Sequence, residues 1–523
     1  MVTIHADPRR TIGSKNNLSQ YRKPSSLFIV ILAILSILPF TALGGGGGAA
    51  VTIPLSFSFI ISIGGPSIYQ AFIAGGNGLP VFTETNFSFL VNNDILGSPS
   101  CINGCSNTLN PGSYNLTNTI VDAVPNLLIT GSPAAKIIPQ NTVFPEPFGV
   151  NCVSGAGVRP VFCIKASNVV LQGFTIDDAN RMFVAGVTGD GIFASSTSQN
   201  VLIQSMTIQN ASSNGISLAN TNTIVTTSTI IGPLPLPKTG GNFGILLGGT
   251  ASRIRIFLNT ISGFNGSDTS GIQMSNLASY ISVSSNELFK NSFGISTTCG
   301  KFLTLEANNI HNNYAGGILL TTIGIGSCTA GPVSISGGTI TDNAQEPNND
   351  AQCNTLHCSG IILRAAKCCW DTVSITGVTI KDTQVTPTQT YDIHVFGTST
   401  CAGVQCYSNV TITGNSLGRT SSGTTINVQI APSKSWIISD NPGYNPQPVR
   451  GPLTAGATPF TYTNLDGYKE QIELITIGDM TAFTCRGIAN IIQVDAISPI
   501  LNTLDTCVFT YVAVAPTYDV LPT

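Results

Sequence analysis

Three aspartates and an arginine form a local cluster of ionisable side chains in the first half of the sequence. Asp177 and Asp178 are adjacent, Arg181 follows, and Asp190 comes shortly after. Two carboxyl groups held roughly 6.5–9.5 Å apart can serve as general acid and general base in an inverting glycosidase. Asp177, Asp178 and Asp190 are therefore the candidate catalytic residues, and the alternative is a solvated turn and loop.

Arg181, Trp370 and Tyr391 are the candidate ligand-binding residues. Arg181 lies among the aspartates, and aromatic rings such as those of Trp370 and Tyr391 can stack on sugars. Both aromatic residues border predicted loop corners, so the alternative is that they cover an edge of the fold. These positions predict a possible polysaccharide or glycan partner.

The 14 cysteines all lie at or beyond Cys101, and their even number is typical of a disulfide set in an exported chain. The alternative is a zinc site, but the candidate ligands lack a recognised spacing, so we expect no metal and no cofactor. The close pairs are Cys101/Cys105, Cys152/Cys163, Cys353/Cys358, Cys401/Cys406 and Cys485/Cys507, and the others are Cys299, Cys328, Cys368 and Cys369. The zinc candidates are Cys353, His357, Cys358, Cys368 and Cys369.

The chain carries little charge for its length of 523 residues. Charged residues make up 9%, against roughly 25% in an average soluble domain. Hydrophobic residues make up 42%, which excludes disorder for the bulk of the chain. The net charge of −3, with no basic stripe beyond the first residues, argues against a nucleic-acid partner.

The N-terminus predicts export. Residues 1–26 form a basic tail, and residues 27–43 are an apolar run without charge. This run is either a signal peptide or an uncleaved membrane anchor, and both place the rest of the chain outside the membrane. Residues 44–100 then predict a glycine-rich spacer and an irregular lead-in.

An eight-residue pattern recurs from residue 169 onward. Apolar residues alternate with others, two residues are skipped, and the alternation resumes, which predicts a strand, a bend and a second strand. A further strand follows each copy, usually as Gly and an apolar residue. The copies start at Val169, Val201, Ile224, Ile254, Ile281, Leu303, Val333, Val373, Val410 and Trp436, with a possible early copy at Leu127.

The start-to-start spacings run from 22 to 40 residues, which accommodates three short strands and three turns per unit. Such units must stack because none buries its apolar face alone. The pattern resembles the right-handed parallel β-helix of the pectin-lyase-like superfamily. The resemblance implies an all-β solenoid of about ten coils over residues 101–443.

Four asparagines fall at one register position of the repeat, on the inner side of the bend: Asn259, Asn286, Asn308 and Asn415. Stacked amides there predict a structural ladder of hydrogen bonds from coil to coil. The low charge has a related cause, because like charges repeated at a coil spacing of roughly 4.8 Å would repel one another.

The resemblance also raises the question of catalysis, since many pectin-lyase-like proteins cleave polysaccharides. Polygalacturonase-like members carry Asn-x-Asp, Asp-Asp, Gly-His-Gly and Arg-x-Lys on successive coils. Here Asp177-Asp178 matches the Asp-Asp pair. Gly189-Asp190-Gly191 is the nearest segment to Gly-His-Gly but lacks the imidazole, and Arg253-Ile254-Arg255 is similar to Arg-x-Lys. Both arginines should point outward. The missing signatures favour a chain without catalytic activity.

Extra residues leave the coils at two corners. The insertions of the first corner all leave at the same place in the coil, and loops that emerge on one face of a solenoid are where binding usually occurs. The first corner holds Asp177–Thr188, Gly232–Asn242, Thr341–Ser359 and Asp382–Tyr391. The second corner holds Thr321–Pro332, Ala365–Asp371 and Gly397–Asn409. Its cysteines, with Cys299 on the preceding coil, predict disulfides between adjacent coils.

Residues 444–523 predict a small β module with strands near Phe460–Thr463, Gln471–Ile477, Ala489–Val494 and Val508–Val514. Short segments look similar to those that follow β-helices in phage-like and bacterial surface proteins. Such a module caps the open end of a solenoid and is a candidate interface for a homo-oligomer, for example a trimer.

Three hypotheses of function follow. The first is an exported, surface-displayed or virion-associated β-helix with a structural or adhesive role, including glycan binding through loops on one face. The second is a polysaccharide lyase or glycoside hydrolase. The third is a passive fibre segment that self-associates and binds no glycan.

Overall fold

The computed structural model describes most of the chain from residue 58 onward, with internal gaps. The described ranges are 58–65, 68–74, 78–140, 159–179, 189–233, 243–266, 269–322, 329–345, 358–365, 369–397, 400–401, 404–430, 436–442, 450–464, 469–495, 497–502 and 504–522. The predicted leader at residues 27–43, the basic tail and Arg181 lie outside them. No helix within these ranges is long and apolar enough to cross a membrane.

Three parallel sheets form a β-helix, and the chain visits them in a fixed order. Each coil contributes one strand to sheet A, a short strand to sheet B and one strand to sheet C before it returns to sheet A. Neighbours within a sheet are equivalent strands of successive coils, for example Ile281 beside Leu303. The spacing of the sequence repeat is therefore the length of one coil.

The strands of the solenoid follow. Sheet A contains β4 (Cys105–Leu109), β7 (Leu127–Gly131), β10 (Val169–Gln172), β13 (Gln199–Gln204), β16 (Thr221–Thr226), β19 (Ser252–Phe257), β22 (Ser279–Ser284), β25 (Lys301–Glu306), β29 (Val333–Ser336), β32 (Cys369–Thr376), β37 (Tyr407–Thr413) and β40 (Ile437–Ser439), and β28 (Thr329–Ala330) pairs with β32. Sheet B contains β5 (Gly112–Leu116), β8 (Ala135–Pro139), β11 (Thr175–Asp177), β14 (Thr207–Gln209), β17 (Thr229–Ile231), β20 (Thr260–Ser262), β23 (Glu287–Phe289), β26 (Asn309–His311), β30 (Thr339–Thr341), β33 (Thr379–Lys381) and β38 (Ser416–Leu417). Sheet C contains β6 (Ile120–Asp122), β9 (Phe162–Ile164), β12 (Ile192–Ala194), β15 (Ile216–Leu218), β18 (Phe243–Leu247), β21 (Ser270–Met274), β24 (Phe293–Thr298), β27 (Gly316–Thr321), β31 (Ile361–Ala365), β34 (Ile393–Gly397) and β39 (Ile426–Val428). A two-stranded hairpin, β35 (Thr400–Cys401) and β36 (Val404–Gln405), projects between β34 and β37.

The apolar residues of the repeat line one continuous core. In a single coil, Ile281 and Val283 of sheet A, Leu288 of sheet B and Ile295 of sheet C are all buried. Each such side chain stabilises the fold by roughly 1.5–3 kcal/mol relative to an exposed position. This burial explains why the repeat is readable in the sequence.

The bend between sheets A and B carries a ladder of asparagine side chains. Nδ2 of Asn259 donates to Oδ1 of Asn286 at 3.0 Å, and Nδ2 of Asn286 donates to Oδ1 of Asn308 at 3.0 Å. The row is interrupted on the next coils and resumes where Nδ2 of Asn415 donates to Oδ1 of Asn441 at 2.9 Å. These buried amides satisfy one another and the turn backbone at the register position expected from the sequence.

A second asparagine ladder, which the sequence analysis missed, lies at the bend between sheets B and C. The backbone N of Asn291 donates to Oδ1 of Asn313 at 3.0 Å, and Nδ2 of Asn313 donates to Oδ1 of Asn343 at 2.9 Å. Each asparagine lies two residues after a sheet B strand, and this constant spacing is the sequence signal from which the second ladder could have been predicted.

One predicted repeat start is displaced by one residue. The copy assigned to Ile224 has Thr223 opposite Val201, so Thr223 points into the core and Ile224 faces outward. Thr223 is fully buried, and its hydroxyl accepts a hydrogen bond from Nδ2 of Asn220 at 2.7 Å. A satisfied threonine therefore occupies a core position where the apolar pattern favoured its neighbour.

Residues 58–95, expected to be irregular, are instead regular and extend the solenoid. An antiparallel meander of β1 (Ser58–Gly65), β2 (Ile68–Ile73) and β3 (Phe82–Glu84) adds to sheet A, and β1 pairs in parallel with β4. A short helix α1 (Phe87–Phe89) and a π-helical segment (Leu90–Ile95) follow, and buried Phe87, Leu90 and Ile95 belong to the solenoid core. These elements cover the apolar end of the first coil.

The C-terminal residues form two antiparallel sheets with a separate apolar cluster. One sheet contains β41 (Arg450–Thr454), β47 (Thr517–Pro522) and β43 (Glu470–Thr476), and the other contains β42 (Phe460–Thr463), β46 (Thr506–Tyr511), β44 (Met480–Cys485) and β45 (Ile488–Ala489). The strand predicted at Ala489–Val494 is wrong, because pairing ends at Ala489.

Disulfides are present in both regions of the chain. Cys101 bonds Cys105 ahead of the first coil, and Cys485 bonds Cys507 across β44 and β46. Cys163, Cys299 and Cys358 are also disulfide-bonded. Among the remaining predicted cysteines, the side chains of Cys152, Cys328, Cys353, Cys368, Cys369 and Cys401 lie outside the described parts of the chain.

Cys406 differs from the predicted disulfide set. Its side chain is a reduced thiol that is 0% exposed, so the prediction that Cys406 forms a disulfide, with Cys401 as its close neighbour in the sequence, is wrong. The carbonyl oxygen of Cys406 accepts from the backbone N of Trp370 at 2.9 Å, which aligns it with β32 of the preceding coil. A buried thiol packs as a small apolar residue, and Cys406 accordingly belongs to the apolar core with Trp370 and Tyr407 instead of linking adjacent coils.

Candidate functional site

The three candidate catalytic aspartates lie at the corner between sheets B and C. Asp177 is the last residue of β11, Asp178 follows it, and Asp190 comes shortly before β12. Asp177 is half-buried, whereas the side chains of Asp178 and Asp190 are 0% exposed. A polymeric substrate therefore has no direct access to two of the three carboxyl groups.

All three carboxylates accept hydrogen bonds from the next coil. Asp177 accepts from Nε2 of Gln209 at 2.6 Å and from Nδ2 of Asn210 at 2.9 Å. Asp178 accepts from the backbone N of Ser212 at 2.9 Å. These contacts tie two coils together at the corner from which the insertions leave.

Asp190 makes the same kind of contact. One of its oxygens accepts from Nδ2 of Asn214 at 2.8 Å and from the backbone N of Asn214 at 3.3 Å. Buried carboxylates that accept from amides are stable as structural groups, since each bond offsets part of the cost of burial. The hydrogen bonds of the three aspartates therefore favour a structural role at this corner of the solenoid.

The aromatic candidates are placed differently from the expectation. Trp370 lies in β32, is 0% exposed and belongs to the apolar core, so its interpretation as a ligand-binding residue is wrong. Alternation along β32 faces it inward beside Tyr407, which is also buried. Tyr391 is half-buried and packs on His394, with ring centroids 4.8 Å apart.

A buried acidic pair near Tyr391 was not identified from the sequence. Asp392 accepts from Nε2 of Gln389 at 2.6 Å and from the backbone N of Gly418 at 2.8 Å. Burial raises the pKa of Asp392 to about 8, and the negative charge of Asp382 acts in the same direction. Asp382 accepts from the backbone N of Thr388 at 2.7 Å, and this hydrogen bond joins two residues of the loop between β33 and β34.

The alternative zinc site lies only partly within the described part of the chain. No group of three or more His, Cys, Asp or Glu residues there is arranged to hold a metal ion. The proposed zinc ligands around Cys358 fall largely outside the described ranges.

A different surface, on the outer side of sheet A, combines exposed charge and exposed aromatic rings. Arg253 and Arg255 of β19 are both exposed, and the guanidinium of Arg255 lies 5.4 Å from the ring centroid of Phe257. On the next two coils, Tyr280 and Phe302 are 56% and 45% exposed. Their rings are parallel within 6°, with centroids 4.6 Å apart.

These residues share one turn position at the start of sheet A. Arg253, Tyr280 and Phe302 occupy equivalent positions and have φ of 55°, 57° and 54°. The preceding coils place asparagine there with the same left-handed backbone, at Asn126, Asn168, Asn200 and Asn222. Asparagine tolerates this conformation, whereas larger side chains cost roughly 1–2 kcal/mol. Three consecutive coils therefore keep bulky exposed side chains at an unfavourable backbone position.

The sequence matches a family model described as "Right handed beta helix region" over residues 159–324. Together with the three parallel sheets, this match identifies the fold as a right-handed parallel β-helix of the pectin-lyase-like type. No curated protein sequence matches the chain.

Solved structures with similar folds belong to proteins of several kinds. DFA-IIIase from Arthrobacter chlorophenolicus A6 without its lid is 13% identical, with a TM-score of 0.48, and the match covers 68% of this chain and 93% of that one. PfbA, a surface adhesin of Streptococcus pneumoniae, is 13% identical, with a TM-score of 0.42 and coverage of 62% and 82%. A Family 28 exopolygalacturonase of Yersinia enterocolitica is 13% identical, with a TM-score of 0.39 and coverage of 70% and 84%. At this identity, none of them indicates what the present chain does.

Proposed function

We propose that this protein is an exported, surface-displayed β-helix that binds glycans without cleaving them. The observation that carries the proposal is the parallel, half-exposed ring pair of Tyr280 and Phe302 on the outer face of sheet A. The two rings stack on each other, so they offer their edges and their outer faces, and such exposed aromatic surface can pack against the C–H groups of sugar rings. The basic tail, the apolar run at residues 27–43 and the disulfides support export.

The alternative is a polysaccharide lyase or glycoside hydrolase that uses Asp177, Asp178 or Asp190. Its weakness is that Asp178 and Asp190 are buried and accept hydrogen bonds from Ser212 and Asn214. A general acid or base must reach the proton that it transfers.

The experiment uses the purified exported chain with its disulfides intact. Binding is measured on an array of neutral and acidic glycans, and reducing ends and unsaturated products are assayed on pectin, alginate, host glycans and capsule polysaccharides. Glycan binding without turnover is expected. Turnover that Asp178→Asn abolishes would establish the enzyme hypothesis. The absence of any glycan binding on the array would favour the hypothesis of a passive fibre segment.

The C-terminal residues also support a homo-oligomer. Apolar side chains recur at every third position and are all 40–73% exposed: Ile488, Ile491, Val494, Ile497 and Ile500. Exposed apolar patches of a few hundred Å² mark interaction sites, and within residues 488–500 this stripe of exposed apolar side chains is interrupted by one ionisable residue, Asp495. We assign this stripe to contact with other copies of the chain, in a trimer.

The oligomer is tested by light scattering after size exclusion. The wild-type chain is expected to elute as a trimer, and a variant with Ile491→Asn and Ile497→Asn is expected to elute as a monomer with unchanged circular dichroism. A monomeric wild-type chain at micromolar concentration would exclude the assignment.

A further inference from the structure

Two exposed asparagines near opposite ends of the solenoid have the sequence and the surroundings of modification sites. We infer that Asn115 and Asn409 carry N-linked glycans. In the transfer step the asparagine Nδ2 bonds C1 of the first sugar, the bond from that carbon to a lipid pyrophosphate donor breaks, and one amide proton is released. Modification requires export, so it rests on that part of the proposed function and goes beyond the binding of glycans.

The asparagine of Asn-X-Ser/Thr, where X is any residue except proline, is the acceptor of N-linked glycans in exported proteins. Asn115 and Asn409 are exposed, whereas the asparagines of the other three sequons that begin in the described ranges are half-buried. The five sequons start at Asn86, Asn115, Asn210, Asn265 and Asn409. Exposure therefore selects two of the five.

Asn115 lies on β5, the last strand at one end of sheet B. Tyr114 and Leu116 on either side are fully buried, so alternation directs Asn115 outward. Its Oδ1 accepts from Nε2 of Gln140 at 3.0 Å, and its Nδ2 forms no hydrogen bond with a described residue. On one side its strand neighbour is Ile138 of β8, and no described strand of sheet B lies on the other. The amide nitrogen therefore lies where a bulky group can be attached.

Asn409 has similar surroundings near the other end of the solenoid. It is exposed on β37 beside Thr372 of β32, and Val410, which follows it, is fully buried. The described pairing of β37 with β40, the last strand of sheet A, begins only at Thr411. The side chain of Asn409 forms no hydrogen bond within the described part of the chain. Its amide is therefore also available for modification.

The amides of Asn86 and Asn210 are instead engaged in the fold. Nδ2 of Asn86 donates to Oγ1 of Thr117 at 3.0 Å, and its Oδ1 accepts from the backbone N of Phe89 at 3.2 Å as the N-cap of α1. Nδ2 of Asn210 donates to Oδ1 of Asp177 at 2.9 Å. A sugar on either nitrogen would occupy the space of these contacts, so both asparagines stay unmodified in the folded chain.

Glycans at the two exposed sites suit the composition and the other surfaces of the chain. Only 9% of the residues are charged, and hydrophilic glycans help to keep such a surface soluble. No sequon follows Asn409, so the apolar stripe from Ile488 to Ile500 stays bare for contact between copies. Tyr280 and Phe302 lie on coils between the two sites and are not covered by either.

The experiment begins with the full chain purified from its natural source. A peptide N-glycosidase in heavy-oxygen water releases each glycan and converts the modified asparagine to a labelled aspartate, which mass spectrometry of the peptides locates. We expect label at Asn115 and Asn409 and none at Asn86 or Asn210. A parallel digest without the enzyme corrects for spontaneous deamidation.

Variants of the full chain, produced in a eukaryotic secretory cell line, assign each glycan by the mass of the exported protein. Asn115→Gln and Asn409→Gln should each remove one glycan. Thr411→Ala, which breaks the sequon but keeps Asn409, should have the same effect as Asn409→Gln. Asn86→Gln is the matched control and should leave the number of glycans unchanged.

The outcomes separate the modification from the proposed function. An exported chain from the natural source that is unlabelled at Asn115 or Asn409 would overturn the inference and leave the proposed function standing. Label at Asn86 or Asn210 in preference to the exposed sites would overturn it as well. A chain that stays in the cytosol without glycans would overturn export, and the proposed function would fail together with the modification.

Discussion

Asn286 is bonded twice to Asn308 on the next coil. Its side-chain Nδ2 donates to Oδ1 of Asn308 at 3.0 Å, and its backbone N donates to the same oxygen at 3.1 Å. Asn286 in turn accepts from the backbone N and Nδ2 of Asn259, both at 3.0 Å. One side chain therefore connects three successive coils, inside the bend where water cannot replace it.

We predict that Asn286→Ala destabilises the solenoid by about 2–4 kcal/mol, because it leaves several buried donors and acceptors unsatisfied. Urea unfolding followed by circular dichroism measures the effect. Ser282→Ala, on the outer face of β22, the strand that precedes Asn286, is the matched control and should change stability by less than about 0.5 kcal/mol. Equal stabilities of the two variants would contradict a structural ladder.

Asp178 should matter for stability and not for turnover. Asp178→Asn replaces an acceptor of the Ser212 backbone N with a group that can place a donor there, and we expect a loss of about 1–3 kcal/mol. Glycan binding should be unchanged once the protein is folded. The half-buried Asp177, changed to Asn, is the control and should cost less. A variant of normal stability that has lost a polysaccharide-cleaving activity would contradict this role.

Asp122 should make the solenoid less stable as the pH rises. Its side chain occupies the inward row of sheet C with Ile164, and burial raises its pKa from 3.8 to about 8 although Val124 N donates to it. Between these values the folded chain holds a proton that the unfolded chain has released. The contribution of Asp122 therefore weakens by roughly 1 kcal/mol per pH unit between about pH 4 and pH 8, and it is constant outside this range.

Asp122→Asn should remove this part of the slope, since the amide is neutral at every pH. Urea unfolding at pH 5 and pH 7 measures it, and Asp392, whose pKa is also raised to about 8, should retain its own share in both proteins. Identical slopes for the variant and the wild type would show that Asp122 is ionised in the fold.

The two disulfides whose partners both lie in the described part of the chain should differ in their effect on stability. In the chain-entropy estimate, the Cys485–Cys507 bond, with a sequence separation of 22, stabilises by about 3 kcal/mol, and the Cys101–Cys105 bond, with a separation of 4, by about 2 kcal/mol. Paired Cys→Ser variants, compared by thermal unfolding, test this order. The prediction fails if removal of the Cys101–Cys105 disulfide lowers thermal stability more than removal of the Cys485–Cys507 disulfide.

Trp370→Ala should lower stability by about 3–5 kcal/mol, because a fully buried indole leaves a large cavity. Below the unfolding transition, glycan binding by the folded variant should equal that of the wild type. Tyr391→Ala, at a half-buried position, is the control and should cost less. Loss of binding by a folded Trp370→Ala protein would restore Trp370 to the ligand-binding residues.

Much of the solenoid could be read from the sequence, because each coil must bury its own apolar residues. The copies starting at Ile254, Ile281 and Leu303 pair in the predicted register. The copy at Ile224 is displaced because Thr223 satisfies its hydroxyl inside the core, which polarity alone cannot reveal. The meander of β1, β2 and β3 was missed because its strands add to sheet A without carrying the coil repeat.

The sequence by itself determined the right-handed β-helix and the position of its asparagine ladder, since both repeat with the period of a coil and depend on local alternation. The tertiary structure decided which side chains of different coils meet. In the folded chain the rings of Tyr280 and Phe302 stack, Asp178 accepts a hydrogen bond from Ser212, and the side chain of Trp370 is buried in the core. The physical reason is that such contacts span 22 or more residues of chain and depend on register and on the left-handed turns, neither of which follows from the polarity of a single coil.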